Sequence, residues 1–173
     1  MRFFALALLT GLALPARAQN TPVLTSITAE VASDLARDAA ASFGVPAVAE
    51  AYQVPDSTYV IAVDAVMQGA AGTPADTVRF FVSLDDCTGA DCSVMSAVIL
   101  FGGQTGTVTP ENANTWNAAH RYTRVYLDED NVVLQADLDV HYGVTRETVR
   151  GFLQTYFVAL DTFLYGEEQA GAP

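Results

Sequence analysis

Lysine is absent from this chain, and basic residues of any kind are few. Lysine and arginine together number 8 against 20 aspartates and glutamates, which gives a net charge of −12 at pH 7. Without lysine, neither Schiff-base chemistry nor a lysine general base is available. A chain this acidic also repels nucleic acid and anionic lipid, because both are negatively charged. The composition therefore argues against nucleic-acid binding and against lysine-dependent catalysis.

Cysteine is nearly as scarce, since only Cys87 and Cys92 occur, within the segment DDCTGADC. In an exported protein, a pair this close is first interpreted as a disulfide across a short turn. Closing so small a ring stabilises by only about 2 kcal/mol, so the bond would stiffen a turn more than hold the fold. A zinc site would need two further ligands, for which only His120, His141 and the acids are candidates. Paired Cys-x-x-Cys spacing is missing, and the sequence predicts no metal and no cofactor.

The N-terminus has the features of a secretory signal peptide. Arg2 supplies a positive start, Phe3 to Leu14 form an apolar run, and small residues precede a cleavage site after Ala18. The apolar run is too short to cross a membrane, which needs roughly 20 helical residues. Gln19 rather than cysteine follows the cut, so neither a membrane anchor nor a lipidated terminus is expected. Removal of residues 1–18 leaves six arginines against twenty acids, a net charge of −14.

The rest of the chain has the length of one ordinary domain, predicted over residues 19–166 and followed by a disordered tail over 167–173. Strands are grouped between helices rather than alternating with them. This order predicts an α+β fold with an antiparallel sheet of five to six strands and helices on one face. The predicted elements are a helix over 25–43, strands over 48–54, 58–67, 77–84 and 93–101, a helix over 109–120, strands over 122–127 and 132–140, and a helix over 145–165.

Capping residues mark the three helices. Thr25–Ser26 precedes the first, Thr109–Pro110 begins the second, and Thr145 begins the third, which ends at Gly166. The third helix has the strongest amphipathic pattern in the chain. Its predicted core face consists of Val149, Phe152, Leu153, Tyr156, Phe157, Leu160 and either Phe163 or Leu164.

The last two strands are predicted to form a hairpin. Apolar residues occupy every second position from Val132 to Val140, which indicates a strand with one solvated face. The polar segment from Asp128 to Asn131 suits a tight turn. This register places Arg124 near Gln135 and diagonal to Asp137, on the outer face of the sheet.

From about Asp85 to the C-terminus the chain resembles the YbjN family of bacterial domains. The resemblance implies a compact fold related to type III secretion chaperones, a part in sensory transduction, and interaction with other proteins. It supplies no established catalytic residues. Asn131 stands where the family usually has glycine, a mild change because asparagine tolerates a left-handed backbone. The matching residues are Cys87, Cys92, Asn114, Thr115, Trp116, Asn117, Arg121, Tyr122, Arg124, Tyr126, Leu127, Asp128, Glu129, Asp130, Leu134, Asp137, Gly143, Val144 and Thr145.

The polar and aromatic residues of this motif are first interpreted as structural. Trp116 lies on a short helix and is taken as a core or docking residue. Asn114 and Asn117 are expected to satisfy backbone groups where that helix meets the hairpin. The segment Asp128–Asp130 lacks the ligand spacing of an EF-hand and is taken as a solvated turn.

Two further pairs were weighed as chemical sites. Asp137 and Asp139 lie on one strand face, but an acid/base pair needs a cleft that separates the two pKa values. His120 and His141 flank the hairpin, yet neither stands near a serine or cysteine in a recognised order. No catalytic residue is therefore predicted.

The sequence predicts an exported, non-enzymatic domain that binds a protein or peptide, or a second copy of itself. The expected surface is the last helix with the exposed sheet face, because Val158 and Leu164 lie off the main core face. Changing both to serine should leave folding intact and weaken association. The alternative is a small ligand- or metal-binding periplasmic protein or an enzyme, with a carboxylate-lined pocket between the first helix and the sheet.

Overall fold

The computed structural model describes residues 22–54, 58–67, 76–102 and 108–166. The predicted signal peptide and the tail over 167–173 lie outside these residues, as does the loop over 69–74. The described elements are, in chain order, β1 (Val23–Leu24), α1 (Ala29–Ala41), β2 (Ala47–Val54), β3 (Thr58–Met67), β4 (Asp76–Thr88), β5 (Asp91–Gly102), α2 (Pro110–Ala119), β6 (Arg124–Asp128), β7 (Asn131–Asp139), β8 (Val144–Thr145) and α3 (Arg146–Tyr165).

One antiparallel sheet contains six strands in the order β2-β3-β4-β5-β7-β6. The predicted α+β class and antiparallel sheet are confirmed. A separate two-stranded sheet joins β1 to β8, with Val23 opposite Thr145. This small sheet was not predicted, because a strand of two residues is too short to show alternation.

The core lies between the sheet and the helices on one of its faces. Helix α1 packs on β2 and β3, and α3 packs on α1 and β7. Phe80 of β4 contacts two aromatic residues of α3, with ring centroids 5.4 Å from Tyr156 and 5.2 Å from Phe157. The apolar stripe of α3 therefore closes the same core as the buried side of the strands.

The β6–β7 hairpin has the predicted register. Arg124 pairs with Gln135, and its Nη2 atom lies 2.8 Å from Oδ2 of Asp137. The turn differs in one detail, because the left-handed residue is Glu129, with φ of 51°. Asn131 instead pairs with Asp128 as the first residue of β7, so the left-handed role considered for it was wrong.

Helix α1 begins later than predicted. Its N-cap is Thr28, whose side chain accepts a backbone hydrogen bond at 3.3 Å, and not Thr25 or Ser26. Ile27 lies outside the helix and exchanges two backbone hydrogen bonds with Cys92, of 2.8 and 3.0 Å. That partner is far away in sequence, so helical spacing alone could not separate Ile27 from the helix.

The other two helices have the predicted ends. Thr109 and Asn112 form a capping box at the start of α2. Thr145 accepts the backbone N–H of Thr148 at the start of α3, and Gly166 caps its end with φ of 83°. A hydroxyl at each N-cap satisfies a backbone donor that the helix itself leaves unpaired.

Cys87 and Cys92 are joined by a disulfide, at facing positions of β4 and β5. Cys92 is fully buried, next to the backbone bridge to Ile27. The disulfide therefore joins the two strands at the tip of the β4–β5 hairpin. Ile27, the residue just before the α1 N-cap, pairs with this tip through its backbone.

Gly143 has a backbone and a surrounding that only glycine suits. Its φ is +91°, and a Cβ added there would lie 2.7 Å from Cγ1 of Val23. Gly143→Ala should lower the free energy of unfolding by about 1–2 kcal/mol, because it combines a left-handed backbone with a clash against β1. Denaturant titration measures the change.

Gly151, in the interior of α3, is the matched control for this substitution. A Cβ there meets nothing within 4 Å. Gly151→Ala should instead stabilise by up to about 1 kcal/mol through helix propensity. Equal effects of the two alanines would contradict the strain assigned to Gly143.

Candidate functional site

Three hollows follow one another along α3 and together form what we call the α3 groove. The first, of about 480 Å³, lies between residues 121–124, β7 and the start of α3. The second, of about 450 Å³, shares Thr155 with the first, and the third, of about 400 Å³, shares Thr162 with the second. On the α3 side, the groove is lined by Thr148, Gly151, Phe152, Thr155, Val158, Ala159, Thr162, Phe163 and the C-cap Gly166.

At the C-terminal end of α3 the opposite wall of the groove is built by α2, whose Asn117 bonds the edge strand β6. The amide of Asn117 donates to the carbonyl of Val125 at 2.9 Å and accepts the N–H of Val125 at 2.7 Å. This reciprocal pair has the pattern by which a neighbouring strand would bond the same residue. Asn117 therefore covers part of the β6 edge and sets the distance between α2 and the sheet. Asn114 is exposed and makes no side-chain hydrogen bond to a described residue.

Aromatic rings line the end of the groove between α2 and α3. Trp116 stacks on His120, with ring centroids 3.6 Å apart, and meets Phe163 edge-on at 5.3 Å. Its Nε1 donates to the hydroxyl of Thr123 at 3.2 Å. With its polar atom bonded, Trp116 offers apolar ring surface to the third hollow. Trp116 is therefore partly buried against the core and also lines the third hollow.

The first hollow carries positive charge. Arg121 and Arg124 both line it, together with one acid, Asp137. Arg124 is paired with Asp137, whose Oδ1 also accepts hydrogen bonds from Ser96 at 2.7 Å and Gln135 at 2.8 Å. Arg121 forms no ion pair with a described residue. This end of the groove therefore keeps an excess of one positive charge in a protein whose net charge is −12.

Val158 and Leu164, which were expected to offer apolar surface, differ in exposure. Val158 is 44 % exposed and lines the second hollow, beside Tyr122, which is 75 % exposed. Leu164 is partly buried and packs against the core. Val158 therefore contributes to the groove, whereas Leu164 has less free surface to offer.

The remaining candidate residues have separate partners. The ring of His141 packs edge-on against Tyr142 at 5.2 Å, and its backbone N–H donates to Asp139 at 2.8 Å. Asp128–Asp130 is exposed, and Leu127 packs partly against the core. Among the described residues, no group of three or more histidines, cysteines and acids is placed to hold a metal ion.

One carboxyl group of α3 has a perturbed titration. Burial raises the pKa of Asp161 above its ordinary value. The pKa of Tyr165 is also raised, first by burial and then by the negative charges of Asp76 and Asp161. These groups cluster near the end of α3 and do not line the groove.

The sheet face away from the helices is a second surface with apolar character. An ion pair between Arg79 and Asp64, at 2.6 Å, lies on it and lowers the pKa of Asp64. Along the strands, the side chains that point to this face alternate with those that point to the core, as expected for a sheet with one solvated side. Its most exposed large apolar residues are Val48, Tyr52, Val54, Leu100 and Tyr126.

These features define a small α+β domain with a groove beside its last helix. A family model described as "YbjN: Putative bacterial sensory transduction regulator" matches residues 45–165. The match covers more than half of the chain, which therefore belongs to the YbjN family. Comparison with curated proteins and with solved structures gave no significant match. Among the described helices, none is both long and apolar enough to cross a membrane.

Trp116 and Val158, both singled out from the sequence, line the groove, but the groove itself was not predicted. Gly151, Thr155 and Thr162 lie on the groove side of α3 and have small or short side chains. Their spacing places them on one helix face, opposite the large core residues. A stripe of short side chains on an otherwise bulky helix was the available signal. The positions of α2 and of the segment 120–124 opposite this stripe turn it into a groove.

Proposed function

We propose that this protein is an exported, non-enzymatic domain that binds a segment of another polypeptide in the α3 groove. The observation that carries the proposal is the continuity of the three hollows, which share lining residues from Thr148 to Gly166. That span of helix is roughly 27 Å long at about 1.5 Å per residue. It matches roughly eight residues of an extended segment at about 3.3 Å per residue.

The lining suggests the chemistry of the partner segment. Trp116, Phe163 and Val158 supply apolar surface, which favours a segment with large apolar side chains. Arg121 and Arg124 at the other end favour an acidic side chain or a terminal carboxylate there. The partner expected is therefore an apolar segment with negative charge near one end.

Export and a regulatory role are supported by separate observations. The N-terminal segment has the charge and apolar pattern of a signal peptide, and a disulfide joins Cys87 to Cys92. The family description names sensory transduction regulators. A regulator outside the cytoplasm that acts by binding another polypeptide is consistent with both.

Val158→Asp tests the proposal by placing a charge in the middle of the groove. Because Val158 is 44 % exposed, the variant should keep the melting temperature of the parent protein. It should bind the partner at least about tenfold more weakly, a loss of about 1.4 kcal/mol. The measurement is the yield of polypeptide crosslinked to the tagged protein in the native envelope and recovered with it.

Tyr142→Asp is the matched control, because Tyr142 is 89 % exposed and lies outside the groove. It should leave the yield of crosslinked polypeptide unchanged. Equal yields from the parent and Val158→Asp would contradict the proposal. A stoichiometric metal in protein purified without chelator would favour the small-ligand or metal-binding alternative instead.

A further inference from the structure

The two edge strands of the six-stranded sheet differ in how far their outward backbone groups are hydrogen-bonded. At the β6 edge, Asn117 of α2 bonds both backbone groups of Val125. At the β2 edge, the described residues bond only one outward backbone group, the carbonyl of Ala49, and no outward N–H. Six of the eight residues of β2 are exposed and the other two, Ala47 and Ala49, are partly buried. An uncovered edge strand presents unpaired backbone groups that can bond another strand.

The outward-facing groups of β2 follow from its pairing with β3. The carbonyl of Pro46 accepts the N–H of Val66 at 3.0 Å, which fixes the alternation along β2. Residues at even positions therefore bond β3, and those at odd positions, Ala47 to Gln53, direct their N–H and C=O away from the sheet. In the described part of the chain, the one contact to these groups is from Arg37, whose Nη1 donates to the carbonyl of Ala49 at 3.4 Å.

The strand also lacks the usual defences of an exposed edge. Such edges commonly carry lysine, an interior proline or a bulge, which oppose pairing with another chain. The sequence of β2 is AVAEAYQV, with Glu50 as its only charge. Its pairing with β3 runs without interruption from Ala47 to Val54. Apart from Arg37 beside Ala49, this edge is therefore free of bulges, weakly charged and open in the described part of the chain.

The geometry points to a second copy of this chain as the occupant of the β2 edge. The two β2 strands would pair antiparallel about a two-fold axis at Ala51 and join the two sheets into one. In this register Ala51 bonds Ala51 of the other copy, and Ala49 bonds Gln53. On the outer face, Val48 meets Val54 and Glu50 meets Tyr52. Apolar residues thus face apolar residues, and the carboxylate faces a hydroxyl.

Moving the two-fold axis by one residue in either direction pairs the two strands less favourably. An axis at Glu50 would bring the two carboxylates of that residue directly opposite each other, which destabilises a strand pair. An axis at Tyr52 would leave the N–H and C=O of Ala49 without a partner in the other β2, because the strand ends at Val54. The register at Ala51 is therefore favoured by the charges and donors of the strand itself. The existing hydrogen bond from the Tyr52 hydroxyl to Glu50, 2.5 Å long, shows that these two side chains are compatible neighbours.

The helix layer leaves room for this pairing. Ala47 and Ala49 pack against the core, but Ala51 and Gln53 are exposed although they point to the helix side of the sheet. Antiparallel pairing about Ala51 places the partly buried end of one strand, Ala47–Ala49, beside the exposed end of the other strand. Helix α1 of each copy would therefore lie next to the uncovered end of its neighbour's strand.

Light scattering on the purified protein tests the pairing. The parent should show twice the mass of the chain at high concentration and return to the single mass on dilution. Ala51→Lys should abolish the doubled mass, because two lysines would meet at the axis and lysine opposes edge pairing. Ala51→Thr, a neutral substitution that favours strands, should keep it. A single mass for the parent at every concentration, or a doubled mass that survives Ala51→Lys, overturns the inference.

Single cysteine substitutions test the register directly. Hydrogen-bonded residues facing each other in an antiparallel pair have Cα atoms about 5.5 Å apart, a separation that a disulfide spans. Ala51→Cys should therefore give a crosslinked pair on a non-reducing gel, and Glu50→Cys, which faces Tyr52, should give little. The reverse result would overturn the proposed axis. Because the β2 edge and the α3 groove use different residues, failure of this test leaves the Val158 experiment to judge the proposed function separately.

Discussion

Tyr156→Ala should lower the free energy of unfolding by about 3–5 kcal/mol, the largest effect expected from a single substitution in this protein. Tyr156 is fully buried between α3 and the sheet. Its ring lies 5.4 Å from that of Phe80, and its hydroxyl donates to the carbonyl of Leu134 at 3.2 Å. Alanine would leave a cavity at the centre of the core, where close packing prevents full collapse. Urea titration measures the loss.

Tyr156→Phe is the matched control, because it keeps the ring and removes only the hydroxyl. It should cost about 1 kcal/mol, the usual net value of one hydrogen bond. A cost for Tyr156→Ala as small as that for Tyr156→Phe would mean that α3 does not close the core.

The parent protein and Tyr156→Phe should also differ in how their stability falls in alkaline solution. Burial raises the pKa of Tyr156 well above its ordinary value of about 10. Above about pH 10 the phenol of Tyr156 loses its proton in the unfolded chain but keeps it in the folded chain. The stability that comes from burying the neutral phenol is therefore fully present below about pH 10. It is lost as the pH rises from there toward the pKa of the folded protein. Tyr156→Phe should remove this part of the alkaline decline, and an unchanged decline would contradict the burial of an ionisable phenol.

Asn117→Ala should lower the free energy of unfolding by about 2–3 kcal/mol, the second largest effect. The substitution removes both partners of the Val125 backbone, a residue that is only 2 % exposed. Leaving a buried donor or acceptor unpaired costs about 1–3 kcal/mol. Loss of the pair should also detach α2 from β6 and open the α3 groove, so tryptophan fluorescence from Trp116 should change with it.

Asn114→Ala provides the control within the same helix, since Asn114 is exposed. It should change stability by no more than about 0.5 kcal/mol. Similar losses from the two asparagines would contradict the role assigned to the bond between Asn117 and β6, because alanine has the higher helix propensity and by itself should stabilise α2.

Local patterns predicted the parts of this fold that local forces determine. Thr109 and Thr145 cap their helices as expected, because the side chain that caps lies next to the groups it satisfies. The alternation along β7 set the hairpin register, since slipping by one residue would expose every buried side chain. These elements depend on neighbours a few residues away, and the sequence displays those neighbours directly.

Long-range contacts explain what was missed. Ile27 had helical spacing, but its backbone pairs with Cys92, 65 positions further along the chain. Asn117 was expected to satisfy backbone groups, but only the three-dimensional structure identifies Val125 as the partner. The α3 groove likewise depends on how far α2 stands from α3. Periodicity carries no information about that distance, so the sequence could indicate the helix and individual residues of the candidate site but not the groove.

The β2 edge and the α3 groove lie on different parts of the same sheet. Strand β2 is at one end of the strand order, and β6, beside the groove, is at the other. Pairing of two copies through β2 would leave both grooves free. One dimer could then hold two partner segments at once, which would raise the apparent affinity for a partner with two such segments.

Photocrosslinking in cells that produce the protein tests most directly whether the α3 groove binds a polypeptide. A photoreactive amino acid is placed at Val158 in one variant and at Tyr142 in a second, so that both positions are exposed but only the first lines the groove. If the α3 groove binds a polypeptide, Val158 should give a discrete adduct that is absent from Tyr142 and weakened by Arg121→Glu. No adduct from Val158, or the same adduct from both positions, would contradict it.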